Sequence, residues 1–129
     1  MAVPARQFAD DLFADLPTPA REAPLRSLAG SASRRFTAWR GRSGRRYVAS
    51  VFAAQDDHAL GFSDAVLLAI SAERRIIAAR ESGPLGIEAA LERWRGTAVA
   101  AGATEIHVHL LAEDGASRRA ALRDLTPEV

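Results

Sequence analysis

Seven arginines fall within residues 23–55, a stretch without one Asp or Glu. Four of them, Arg40, Arg42, Arg45 and Arg46, crowd the segment Trp39-Arg40-Gly41-Arg42-Ser43-Gly44-Arg45-Arg46-Tyr47. The whole chain carries a formal charge of only +1. This is therefore a local positive field on a nearly neutral protein, the pattern of a surface that meets an anionic partner. Each guanidinium offers forked hydrogen bonds to phosphate or carboxylate oxygens. Trp39 and Tyr47 flank the cluster, where a base or another planar group can stack. The expected partner is a nucleic acid, a phosphorylated ligand or an acidic protein face. A near-neutral domain lacks the strongly basic footprint of a dedicated nucleic-acid binder. The competing reading is a solvated hairpin tip with Trp39 and Tyr47 in the core.

His107 and His109 form a second candidate. Two residues apart on a strand, they project from one face and can present two imidazoles to one metal ion, with Glu105 as an oxygen ligand. Only His58 could supply a third imidazole. The alternative function is thus a metal-binding protein or a metal-dependent enzyme; the competing reading leaves both imidazoles on an open sheet face. Other chemistries are excluded. The chain has neither cysteine nor lysine, so thiolate ligands, disulfides, Schiff bases and a Walker A loop are absent. Gly41-Arg42-Ser43-Gly44-Arg45 lacks the closing glycine of a nucleophile elbow. No cofactor fingerprint is present, and no cofactor is expected. The chain reads as a binding or regulatory module rather than an enzyme.

The third candidate surface is an apolar stripe of Phe8, Leu12, Phe13 and Leu16, backed by Asp10, Asp11 and Asp15. Such a segment docks on its own domain, on a protein partner, or on a second copy of the chain. A structural or oligomerising role is therefore the second alternative.

Positioning these groups requires a small set of elements. The stripe predicts an amphipathic helix over 1–16, stopped by Pro17 and Pro19, and 17–33 reads as a linker rich in Pro, Ala, Ser and Gly. A single domain follows over 34–129. Residues 35–40 and 46–52 predict two strands around the turn cluster 41–44, a hairpin with arginines at its tip. Residues 64–70 and 75–80 predict a second hairpin, although the run 65–70 is also compatible with a helix. Pro84 opens a helix whose stripe is Ile87, Leu91, Trp94, Ala98 and Ala101, with Arg95 largely on the wet side and Gly102 as its stop. Residues 104–112 alternate as a half-buried strand. A last helix starts at Asp114 or Ser117, buries Leu122 and Leu125, and ends at Pro127. The fold class is α+β: a mostly antiparallel sheet of about five strands, two hairpins plus a late strand, with helices on one face.

At 129 residues the chain builds one core. Its longest apolar runs are far short of a membrane span, and Asp10, Asp11 and Asp15 sit where a signal peptide would be apolar. The expectation is a soluble cytoplasmic protein without membrane contact. The arginine- and alanine-rich composition is that of a GC-rich bacterial genome.

Overall fold

The computed structural model describes residues 19–23, 36–84 and 87–127. Both predicted hairpins form. Strands β2 (Phe36–Arg40) and β3 (Arg46–Ala53) flank the first turn, and β4 (Val66–Ser71) and β5 (Ile76–Glu81) the second. Gly44, at φ +90°, lets the first tip close, and Arg74, at φ +62°, takes the corresponding left-handed position in the second. Between the hairpins a 3-10 turn (Asp57–Leu60) is capped by the Asp56 carboxylate, which accepts from the His58 amide.

One strand was not expected. Arg21–Glu22, inside the predicted linker, forms β1 and pairs antiparallel with Trp39 and Arg40 of β2. Helix α1 (Glu88–Ala100) then carries the chain to β6 (Ala103–His109), and α2 (Gly115–Leu125) closes the fold. Asp114 caps α2 by accepting from the Ser117 amide, and Gly102, at φ +111°, ends α1. The predicted N-terminal helix, with Phe8, Leu12, Phe13 and Leu16, lies outside the described residues.

The six strands make one curled antiparallel sheet in the order β1-β2-β3-β6-β4-β5. The last strand in sequence thus lies near the centre, between β3 and β4. Strand β4 is buried at all six positions, so both of its faces are covered. This settles the ambiguity over 65–70: the continuous apolar run is a two-sided core strand, not a helix.

It also corrects the expectation of helices on one face. Trp39, Tyr47, Val66, Leu68, Ile70 and Ile76 pack with Ala121 and Leu125 of α2. The alternate residues Leu67, Ile106 and Val108 pack with Leu91 of α1, joined by Trp94 and Phe52. Among the described residues, one helix therefore covers each face. Burying Leu91 and Leu125 contributes roughly 2 kcal/mol apiece, which fixes α1 and α2 to opposite sides. Arg95 is a further correction: it is buried against α1's own Glu92 and against Asp57, with which it forms ion pairs of 2.6 and 2.8 Å.

Candidate functional site

The arginine-rich hairpin does not project freely. Its tip docks against the C-terminus of α2, where one carboxylate collects three donors. Asp124 accepts from the Ser43 amide at 2.7 Å, the Ser43 hydroxyl at 2.5 Å and the Tyr47 phenol at 2.8 Å. Gly41 permits this approach, because a Cβ there would lie 2.1 Å from Asp124 Oδ2. Arg42 folds over the helix end and donates to the carbonyls of Arg123 and Thr126, the groups a helix C-terminus leaves unpaired. Burial works to raise the Asp124 pKa, but the Ser43 and Tyr47 bonds outweigh it and hold the group below the ordinary carboxylate value. For Tyr47, burial first and the Asp124 carboxylate second act together, pushing the phenol up to about 12.

Docking separates the four arginines read as one site. Arg42 is committed to the helix end, and Arg40 donates to the Gly44 carbonyl at 2.7 Å. Arg45 and Arg46 are exposed. The register creates a different grouping. Arg21 stands opposite Arg40, and Arg40 stands opposite Arg46. Direct antiparallel partners share a face, so three arginines form a row across β1, β2 and β3 at the strand spacing of about 5 Å. None of the three is ion-paired with a carboxylate among the described residues. Like charges set directly opposite cost stability, roughly 0.2–1 kcal/mol per pair.

Trp39 and Tyr47 alternate with this row and point the other way. Trp39 is 0% exposed and Tyr47 6%, so neither ring is open to an incoming base, which corrects their reading as stacking platforms. Trp39 instead starts a chain of buried polar contacts. Its indole N–H donates to His107 Nδ1 at 2.9 Å, which leaves the ring proton on Nε2 to donate to Glu105 Oε1 at 2.9 Å. Arg74 donates to the same Glu105 oxygen at 2.7 Å and grips Glu22 with Nε and Nη2 at 2.9 and 2.8 Å. Thr37 adds a hydroxyl to Glu22 at 2.7 Å. The chain Trp39–His107–Glu105–Arg74–Glu22–Thr37 thus ties β1, β2, β6 and the β4–β5 turn together under α2.

The titration directions follow from this packing. Burial pushes the His107 imidazole below its ordinary value, and the Glu105 contact only partly opposes it. Burial works to raise Glu22, but the Arg74 fork and then the Thr37 hydroxyl overcome it, and the carboxyl lies below its ordinary value. The histidines share a face, as their spacing predicts. His109 meets the Val48 carbonyl through Nδ1 at 2.7 Å and the Tyr47 ring edge-on at 5.3 Å. In this arrangement both nitrogens of His107 are engaged. Among the described residues no cluster of three His, Asp or Glu side chains is placed to hold a metal ion. His58 pairs with Asp56 at 2.8 Å on an exposed turn.

Sequence reasoning missed Arg21, Glu22 and Arg74. Nothing in the local pattern marks Arg74, but Glu22 is an isolated acid bounded by Pro19 and Pro24, the composition of a short edge strand. No helix is long and apolar enough to cross a membrane, among the described residues. Comparison with known proteins finds no matching family model, no matching curated protein and no matching solved structure.

Proposed function

We propose that the protein is a binding module that contacts an anionic partner through the outer face of β1, β2 and β3. The observation that carries this reading is the Arg21–Arg40–Arg46 row, three arginines in register across neighbouring strands, none ion-paired with a carboxylate among the described residues. The row spans about 10 Å, two strand spacings, and suits a partner that offers several oxyanions rather than one. With Trp39 and Tyr47 in the core, recognition rests on charge and forked hydrogen bonding rather than on stacking. Like-charge opposition held in the free protein is relieved on binding.

Three probes of different chemistry test the reading: inorganic tripolyphosphate, a single-stranded oligonucleotide and a polyglutamate peptide. Replacing Arg21, Arg40 and Arg46 together by Gln should abolish binding of whichever probe the wild type holds, while thermal stability stays equal or rises. Affinity of the wild type should fall with added salt, as screening demands. Equal binding by the triple variant removes the proposal.

A further inference from the structure

We infer that a second site, on the α2 side of the sheet, takes a small amphipathic acid: one anionic head on an apolar body. A cleft of about 730 Å³ opens between β1, the β4–β5 turn and the C-terminal end of α2. This lies within the 300–1,000 Å³ typical of small-molecule sites, where a mainly apolar lining carries a few placed polar groups. The apolar part consists of Pro19, Ala20, Ile76, Leu125 and Pro127. Ile76 and Leu125 belong to the core cluster under α2, and Ala20 packs against it, so this lining is firmly held.

The cationic part consists of Arg21, Arg74 and Arg75, with Arg42 at the helix end and Glu73 as the acid in the lining. Arg75 is exposed and carries no ion pair to a carboxylate among the described residues. Arg74 uses three of its guanidinium donors on Glu22 and Glu105. A guanidinium has five, so two remain for a ligand, already oriented by the buried carboxylates. A carboxylate or phosphate head therefore meets Arg75 and the pre-set Arg74, while a short alkyl or aryl body lies along Pro19, Ala20 and Pro127, over the buried Ile76 and Leu125. A cation is disfavoured by the same arginines, and a fully hydrated inorganic anion leaves the apolar part unused. This site shares only Arg21 with the arginine row, while Arg40, Arg45 and Arg46 are absent from its lining, and Arg74 and Arg75 carry the head-group contacts.

Anilinonaphthalene sulfonate, a fluorescent amphipathic anion, is the probe. It should bind saturably at one per chain, be displaced by dodecanoate, and resist displacement by dodecyltrimethylammonium or inorganic phosphate. Arg75→Ala should weaken binding about tenfold, as loss of a charge-assisted contact implies. Arg46→Gln should leave this affinity unchanged even where it abolishes polyanion binding, so the two sites fail separately. Ala20→Phe, which fills the cleft without changing charge, should also weaken the probe. The inference is overturned by unsaturable binding, by equal affinity in Arg75→Ala, or by equal displacement with the cationic amphiphile. Pelleting with anionic lipid vesicles without binding of the monomeric acid also overturns it.

Discussion

Replacing Arg74 by Ala tests the buried polar chain at its one cation. The fork holds two carboxylates whose side chains are 9% and 20% exposed, and is itself 32% exposed. Removing one partner of a buried pair costs roughly 3–5 kcal/mol. Because Arg74 is partly open to water, the lower end applies, about 3 kcal/mol. Ala keeps the Cβ at φ +62°, so the left-handed backbone cost is unchanged and the loss reports the charge. For a domain of this size the melting temperature should drop by roughly 10 °C.

The pH dependence is sharper still. In the wild type Glu22 lies below its ordinary pKa, so its contribution is present above the unfolded value of 4.5 and is lost as pH falls through the lower folded value. Without Arg74, burial prevails and the folded pKa rises above the unfolded one, so that group destabilises more as pH climbs. The stability gap between variant and wild type should therefore be widest at pH 7 and narrow toward pH 4. Urea denaturation across that range measures it, with an unchanged slope on denaturant as the two-state check. Adding Glu22→Gln to Arg74→Ala should recover part of the loss at neutral pH. A gap below about 1 kcal/mol, or one independent of pH, refutes the reasoning.

Tyr47 is the only tyrosine, so tyrosinate absorbance reads its pKa directly: ionisation should be centred near 12 in the wild type. The associated stability is full below the unfolded value of about 10 and is lost as pH rises toward 12. Gly41→Ala, which forces Asp124 away, should bring the midpoint back toward 10 and cost about 2 kcal/mol; a midpoint unmoved in that variant contradicts the docking. His107, held neutral by burial, should resist protonation in a proton NMR titration below its ordinary value of 6.5. Stability associated with it declines as pH falls below 6.5 and levels off beneath the folded value, because the unfolded chain takes up the proton first. Trp39→Phe leaves His107 Nδ1 without its donor and should cost about 1–2 kcal/mol by urea denaturation; no loss would count against the Trp39–His107 bond.

Much of the element pattern could be read directly. The glycines at 41 and 44 mark the first hairpin, Asp114 caps α2 as its residue type allows, and alternation over 104–112 identifies β6. Strand placement could not be read, because alternation reports a face and not a neighbour. Glu105, His107 and His109 form a polar face that looks solvent-exposed in one dimension. The fold buries it by bringing Trp39 from 68 residues away and Arg74 from the second turn. The run 65–70 held the clue that both sheet faces are covered, since a strand wet on one side would alternate. The arginine cluster was legible as a charge excess, but its geometry was not. Pairing splits it by strand parity, aligning Arg40 and Arg46 with Arg21 from a two-residue strand too short to show periodicity, while Arg42 turns inward to the helix end.

The central claim is that the aligned arginines are a recognition surface. The most direct measurement is the affinity of the wild type and of the Arg21→Gln, Arg40→Gln, Arg46→Gln triple variant for the three anionic probes, at two salt concentrations and with melting temperatures in parallel. The account predicts salt-sensitive binding that disappears in a variant at least as stable as the wild type. Binding that survives in the triple variant, or a wild type that holds none of the probes at low salt, contradicts it.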